Sequence, residues 1–223
     1  GGGRIAVKTT GLNLSALSVN SGGGAGGAGA PGVTAGSAGT AFVDPKVWTG
    51  NGAASCQDAA NWVAGLAPLA GDNVVFGSTS SAKACTWDFG GLPVATLTME
   101  PGYQGVVTWA SNLSSVTGRF VMQGGTFASS GIEFKLGGDL VQSAGVFALS
   151  NGTLTLTGTG RSVSVSSSAF FNNLVVETGA SVSLGSATVA GSLTVRSGGT
   201  LTLSSGSVLR ARRVGIQHAA SAT

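Results

Sequence analysis

Charged residues are scarce in this sequence, and histidine and cysteine are nearly absent. Only 9% of the 223 residues are Asp, Glu, Lys or Arg, against about 25% in ordinary globular proteins. One histidine and two cysteines cannot supply four zinc ligands of those types. A Ser-His-Asp arrangement would depend on His218, close to the C-terminus. We therefore expect no catalytic residue, no metal and no cofactor.

Long apolar runs are also missing. No stretch of 18 or more apolar residues occurs, so we expect no membrane insertion. The chain opens with GGGRIAVKTTG, which has neither an initiator methionine nor the apolar core of a signal peptide. We interpret the sequence as a mature protein or as a segment of a longer one.

Glycine and apolar residues are abundant instead. The chain has 39 glycines and 42% hydrophobic residues, which differs from the composition of a disordered chain. Ser and Thr must cover most of the surface, as on the exposed strand faces of extracellular β-rich proteins. The net charge is +3, and the RARR run at 210–213 is interpreted as a solvated strand end or linker. Nucleic-acid binding is not expected, because a broad basic face with aromatic residues is lacking.

The two cysteines, Cys56 and Cys85, are expected to form a disulfide. In the chain-entropy model, closing a loop of about 29 residues contributes roughly 3–4 kcal/mol. A disulfide indicates an oxidising compartment outside the cytoplasm.

Composition divides the chain into five segments. Residues 1–20 predict two strands around Gly11, and residues 216–223 form a C-terminal tail. The Gly/Ala-rich residues 21–40 are either a flexible linker or a contact between subunits. Residues 41–92 carry the tryptophans and cysteines of a cap, and residues 93–215 alternate apolar with hydroxylated residues, strand after strand.

The strands repeat with a period near 20 residues. Phe120, Leu140, Leu174 and Leu193 are interpreted as equivalent first positions, each followed by a polar turn and a second strand. Such a period in an all-β pattern predicts a β-solenoid, in which each coil buries its inward face against the next. A β-sandwich is the alternative, and it would lack ladders of equivalent side chains.

The stretch from Trp48 to Phe76, within VWTGNGAASCQDAANWVAGLAPLAGDNVVFGS, resembles the start of the repeat region in autotransporter passengers and related giant bacterial surface proteins. The resemblance covers about 30 residues and implies a right-handed parallel β-helix, secretion and a surface location, with no catalytic residues. The cysteine pair is not part of that pattern. The matching residues are Trp48, Asp58, Asn61, Trp62, Gly65, Pro68, Gly71, Asp72, Val74 and Phe76.

Three other sites were weighed. Glu133 and Asp139 could approach across a turn, but isolated solvated carboxylates are the simpler interpretation. Asp58, Asp72 and Asp88 lack the spacing of a calcium loop, and Asp72 is expected to hydrogen-bond the backbone of its turn. The tryptophans are expected to cap the open end of the solenoid, and the alternative is that Trp48 and Trp109 stack on a carbohydrate.

These patterns favour a structural, non-enzymatic function. We expect a secreted bacterial β-solenoid module of an extracellular fibre or cell-surface filament, with adhesion as a further outcome. Its expected partners are further copies in a head-to-tail polymer, or neighbouring modules of a larger chain. The alternative is a carbohydrate-binding or carbohydrate-active β-helix, whose partner would be a glycan.

Overall fold

A computed structural model of the chain describes residues 5–8, 41–80, 82–112, 114–166 and 170–217. These residues are almost entirely β-strand and turn. Three short 3-10 helices occur among them, at Ala59–Asn61, Val63–Gly65 and Ser78–Ser80. No helix within the described ranges has the length and apolar character that crossing a bilayer requires.

Alternation of apolar with hydroxylated residues makes these segments strands, because successive side chains point to opposite faces. Strands β4, β7, β12 and β17, for example, bury every second residue. The strands are β1 (Ile5–Lys8), β2 (Ala41–Asp44), β3 (Lys46–Trp48), β4 (Asn73–Phe76), β5 (Cys85–Trp87), β6 (Pro93–Val94), β7 (Thr96–Met99), β8 (Val106–Trp109), β9 (Ser115–Val116), β10 (Phe120–Met122), β11 (Thr126–Ser130), β12 (Glu133–Leu136), β13 (Leu140–Gln142), β14 (Val146–Leu156), β15 (Arg161–Ser164), β16 (Phe170–Val176), β17 (Ser181–Leu184), β18 (Ala187–Val195), β19 (Thr200–Leu203) and β20 (Leu209–Ile216).

The strands stack as a parallel β-solenoid of about seven turns. An eight-stranded sheet runs in the order β3-β4-β7-β10-β13-β15-β17-β19. A ten-stranded sheet covers two further faces: β5-β8-β11-β14-β16-β18-β20 is its main path, and β6, β9 and β12 join it at β14. The predicted β-solenoid is confirmed. The β-sandwich alternative does not hold, because all strand pairs in the described ranges are parallel and connect successive turns.

Ladders of inward side chains form the core. One ladder follows the eight-stranded sheet, and its members sit directly over one another in successive turns. Each turn alone exposes its inward face, and stacking removes that apolar surface from water. This ladder contains Val74, Leu97, Phe120, Leu140, Val163 and Leu184.

The prediction that Phe120, Leu140, Leu174 and Leu193 hold equivalent positions in successive turns is wrong in one respect. Phe120 pairs with Leu140 in the eight-stranded sheet, whereas Leu174 pairs with Leu193 in the ten-stranded sheet. The two pairs therefore belong to different faces of the solenoid. Each turn has three apolar faces with the same alternation, so the sequence pattern does not distinguish one face from another.

The first strand of the segment 1–20 is β1, which pairs with β2 in a separate two-stranded parallel sheet. The second predicted strand, at residues 12–19, and the Gly/Ala-rich residues 21–40 lie outside the described residues. So does His218 in the tail. Residues 41–92 hold β2 to β5 and the three 3-10 helices, and the coils continue from β6 onward.

Candidate functional site

Residues 49–72, which we call the cap loop, cover the N-terminal end of the solenoid. After β3 the chain folds back, so that Trp62 forms an antiparallel bridge with Trp48. The backbone N–H groups of Thr49 and Gly50 both donate to the Asn61 carbonyl, at 2.7 and 3.2 Å. The first strand of the eight-stranded sheet is thus covered by the loop that follows it.

The cap loop also hydrogen-bonds the other two N-terminal edges. At β5, the Thr86 N–H donates to the Ala54 carbonyl at 2.7 Å, and the Cys56 N–H donates to the Thr86 carbonyl at 2.9 Å. At β6, the Gly71 N–H donates to the Pro93 carbonyl at 2.9 Å. Unpaired strand edges are templates for unwanted strand addition. The loop occupies backbone groups on all three faces, which is the role of a cap.

Asn61 organises the interior of the cap loop. Its side chain is fully buried, and its amide nitrogen donates to the carbonyls of Ala53 and Ser55. Its amide oxygen accepts from the backbone N–H of Gly52. Only an amide side chain both donates twice and accepts at one position. This explains why the motif contains asparagine before Trp62.

Asp58 and Trp62 fix the ends of the turn around Asn61. The Asp58 carboxylate accepts from the Ala60 N–H at 3.0 Å, which caps the 3-10 helix at its N-terminus. The indole Nε1 of Trp62 donates to the Cys56 carbonyl at 2.7 Å. The side chains of Asp58, Asn61 and Trp62 therefore each satisfy backbone groups of the loop itself.

The expected disulfide between Cys56 and Cys85 is present, with Cα atoms 5.4 Å apart. Both cysteines are buried. The bond joins the cap loop to β5, the first strand of the ten-stranded sheet. No free cysteine occurs in the described residues, so the structure offers no thiol nucleophile there.

An aromatic cluster seals the core beneath the cap loop. The rings of Trp48 and Trp62 meet edge to face, with centroids 5.2 Å apart, and both lie about 6 Å from Phe76. Tyr103 extends this cluster, since its ring centroid is 5.4 Å from that of Phe76. Edge-to-face packing of this kind is favourable beyond the area it buries.

A second pair of tryptophans continues the core into the ten-stranded sheet. Trp87 and Trp109 occupy paired positions on β5 and β8 and stack with an interplanar angle of 6°. The carbohydrate-stacking role considered for Trp48 and Trp109 does not fit these positions. Their exposed fractions are 0% and 1%, and a ring with no accessible face cannot contact a sugar.

The end of the motif forms a tight turn before β4. Gly71 has a positive φ of 83°, which favours glycine, and Pro68 beside it is buried. The Asp72 carboxylate accepts from the Leu69 N–H at 2.8 Å, which confirms its expected role in the turn. It also lies 3.7 Å from Nζ of Lys46, a buried ion pair that the sequence did not suggest.

Of the aspartates weighed as calcium ligands, Asp88 accepts from the Ser55 hydroxyl at 2.8 Å, while Asp58 and Asp72 hold the contacts described above. Within the described ranges, no group of three or more His, Cys, Asp or Glu side chains could hold a metal ion. The three carboxylates are used by separate parts of the cap.

The carboxylates of the coils have neighbours of their own. Glu133 accepts from the Thr155 hydroxyl at 2.7 Å and lies 3.4 Å from Nζ of Lys135. Asp139 accepts from the N–H and hydroxyl of Ser162. Glu133 and Asp139 therefore engage different partners on neighbouring turns.

The C-terminal end differs from the capped end. Strands β19 and β20, together the C-terminal edge, stand last in their sheets, and no described strand pairs with their outer sides. Val214 and Ile216 are 61% and 69% exposed. Their partners in the previous turn, Leu193 and Val195, belong to or pack against the core. The edge thus repeats the core pattern, and no described residue pairs with its outer side.

No family model, no curated protein and no solved structure matches this chain.

Proposed function

We propose that this chain is a structural β-solenoid module that is secreted by a bacterium and builds an extracellular fibre or cell-surface filament. Its function in this proposal is mechanical and associative rather than enzymatic, and adhesion would follow from display on the surface. The observation that carries the proposal is the difference between the ends. A cap loop covers the N-terminal end, while the C-terminal edge presents core positions to solvent.

The disulfide supports the extracellular part of the proposal. A buried bond between Cys56 and Cys85 persists in oxidising compartments and is rare in the cytosol. The resemblance of residues 48–76 to the start of bacterial surface repeat regions supports the same location. The motif residues whose contacts are described above hydrogen-bond or pack at the capped N-terminal end.

The associative part rests on the physics of solenoids. Terminal repeats of such proteins need a polar outer face for solubility, and the C-terminal edge presents Leu203, Val214 and Ile216 instead. Covering them with another molecule removes that apolar area from water. A contact between unlike ends does not close on itself and produces a filament.

The carbohydrate alternative receives less support. It relied on accessible tryptophans, and all four tryptophans are buried. We therefore retain the structural proposal alone.

Sedimentation velocity and electron microscopy of the purified chain at neutral pH test the proposal. We expect concentration-dependent assemblies, and we expect the double variant V214S/I216S to weaken them. The matched control is V106S/V146S, which removes two exposed valines from the side of the solenoid. A chain that stays monomeric at millimolar concentration would overturn the proposal.

A further inference from the structure

We propose that the C-terminal edge docks onto the N-terminal cap of a second copy of this chain, with Arg212 and Arg213 facing the carboxylates of that cap. The inference rests on the proposed function, because it names the two surfaces that would join successive modules. It also gives a function to the RARR run, which the sequence suggested was only a solvated strand end.

The two arginines share one cleft although they are neighbours in a strand. Consecutive residues normally point to opposite faces, but the pairing of β18 with β20 shifts register between Val189 and Ser192. Arg212 and Arg213 are both exposed there, and both line a cleft of about 160 Å³. Its other lining residues are Asn173, Gly191 and Ser192. Two arginines that line one cleft provide hydrogen-bond donors suited to carboxylates.

These arginines have no carboxylate partner in the described part of the chain. Arg196, on the turn before, forms a two-pronged ion pair with Glu177, with N–O distances of 2.8 and 3.0 Å. None of the described ion pairs includes Arg210, Arg212 or Arg213. No ion pair in the described structure therefore neutralises the positive charge of this edge.

Charge is divided along the solenoid axis. Residues 177–217 contain four arginines and one glutamate, a net charge of +3. Residues 41–92 contain four aspartates and two lysines, a net charge of −2; β1 pairs with β2 and adds Lys8, so the described part of this end carries −1. Complementary potentials at opposite ends favour contact between unlike ends, and two C-terminal edges would repel each other.

The cap offers matching chemistry. Asp44 and Asp58 are partly exposed, and each accepts hydrogen bonds from neutral donors. Leu69 is an exposed apolar residue of the cap loop. Because the cap loop already hydrogen-bonds the N-terminal strand edges, the joint would form by packing and charge attraction instead of strand addition.

Sedimentation velocity of the full chain at low and high NaCl tests the inference with two charge-matched variants. We expect R212Q/R213Q to weaken self-association by roughly two- to thirtyfold, the range for losing two solvent-exposed ion pairs. The control R119Q/R161Q removes two exposed arginines from the sides of the solenoid. We expect it to associate like the original chain. Circular dichroism and thermal unfolding check that both variants keep their fold.

The outcomes separate this inference from the proposed function. Weakening by salt and by R212Q/R213Q alone supports the docking surface, and a further loss in D58N places the contact on the cap. Equal association of R212Q/R213Q, the control and the original chain would overturn the inference while leaving a self-assembling module. Absence of assembly in the original chain at either salt concentration would overturn both.

Discussion

At the scale of single residues, Asn61 holds the cap loop together. Its amide satisfies one N–H and two carbonyl groups from a position with no solvent access. A buried backbone group that loses its only side-chain partner has a desolvation penalty and no compensating bond. The loop therefore depends on this side chain more than on any exposed one.

Replacing Asn61 with alanine should lower the free energy of unfolding by about 2–4 kcal/mol, because the buried amide is lost and three partly buried backbone groups lose a hydrogen bond. Urea unfolding followed by tryptophan fluorescence measures the change. The control is N112A: Asn112 is exposed and its amide oxygen accepts one hydrogen bond, from Glu133 N–H. We expect a loss of less than about 1 kcal/mol for that control. Similar losses in both variants would contradict the assigned role of Asn61.

Tyr103 is the only tyrosine of the chain, so its ionisation can be followed without interference from others. Burial raises the pKa of its phenol above the ordinary value, and the hydroxyl donates to the Lys83 carbonyl at 2.6 Å. The folded state thus holds the phenolic proton more tightly than the unfolded state. The resulting stability is present below the unfolded pKa, about 10, and is lost as pH rises above it.

At a pH near 10.5, absorbance at 295 nm should show no tyrosinate in the folded protein and a mostly ionised phenol in urea, where its pKa is about 10. Between the pKa of Tyr103 in the unfolded state and its higher pKa in the folded state, this group lowers the free energy of unfolding by up to about 1.4 kcal/mol per pH unit. The Y103F variant has no phenol to ionise, so it should not show this decrease in the free energy of unfolding as pH rises. A folded protein that titrates with an ordinary tyrosine pKa would contradict the burial of this phenol.

At the scale of strands and turns, the sequence predicts some features well and others poorly. Alternation identifies strands such as β17 and β19, because a strand with one face in the core has period two. The same alternation recurs on every face, and this is why the sequence pattern places Leu174 and Leu193 on the face of Phe120. The motif also identified the cap, but the buried Lys46–Asp72 pair depends on contacts between segments distant in sequence.

Glycines at the corners of successive turns pack backbone against backbone. Gly118 precedes β10 and Gly138 precedes β13, one turn later. A Cβ atom built on Gly138 would overlap the carbonyl group of Gly118. No flexible side chain is available there to move aside, so the turns themselves would have to separate.

Gly138→Ala should therefore lower the free energy of unfolding by about 2–3 kcal/mol through overpacking. The matched control is Gly90→Ala, because a Cβ at Gly90 meets nothing within 4 Å. We expect the control to change stability by less than about 0.5 kcal/mol. Urea unfolding compares the two variants. A change below about 0.5 kcal/mol for Gly138→Ala would contradict the prediction, because it would show that the turns can separate at this corner without loss of stability.

At the scale of the whole molecule, each turn contacts only the turns on either side. The stability of such an array is the sum of the stability of each turn and of its interfaces with neighbouring turns. A turn at an end has one interface fewer than a turn in the middle. Strand β14 lies between β11, β12 and β16, whereas β20 pairs on one side only with β18. The N-terminal end has the cap loop in place of a further turn.

Hydrogen exchange should accordingly be slowest in β10 to β14 and fastest in β19 and β20, with the capped end between them. Mass spectrometry of peptic fragments measures this order at low protein concentration and high salt. If copies dock as proposed, raising the protein concentration at low salt should protect β20 selectively. Protection of β20 equal to that of β14 in the dilute monomer would contradict an open edge.

The disulfide has a mechanical consequence if the chain is placed under tension. When the two ends of the chain are pulled apart, the force passes directly between Cys56 and Cys85, which are 29 residues apart in sequence. Extended chain spans about 3.3–3.6 Å per residue, so roughly 100 Å of length stays locked inside the cap. Single-molecule stretching with a reductant should release that extra length, and without one it should not. The bond thus acts as a tether that limits how far the N-terminal end can be drawn out.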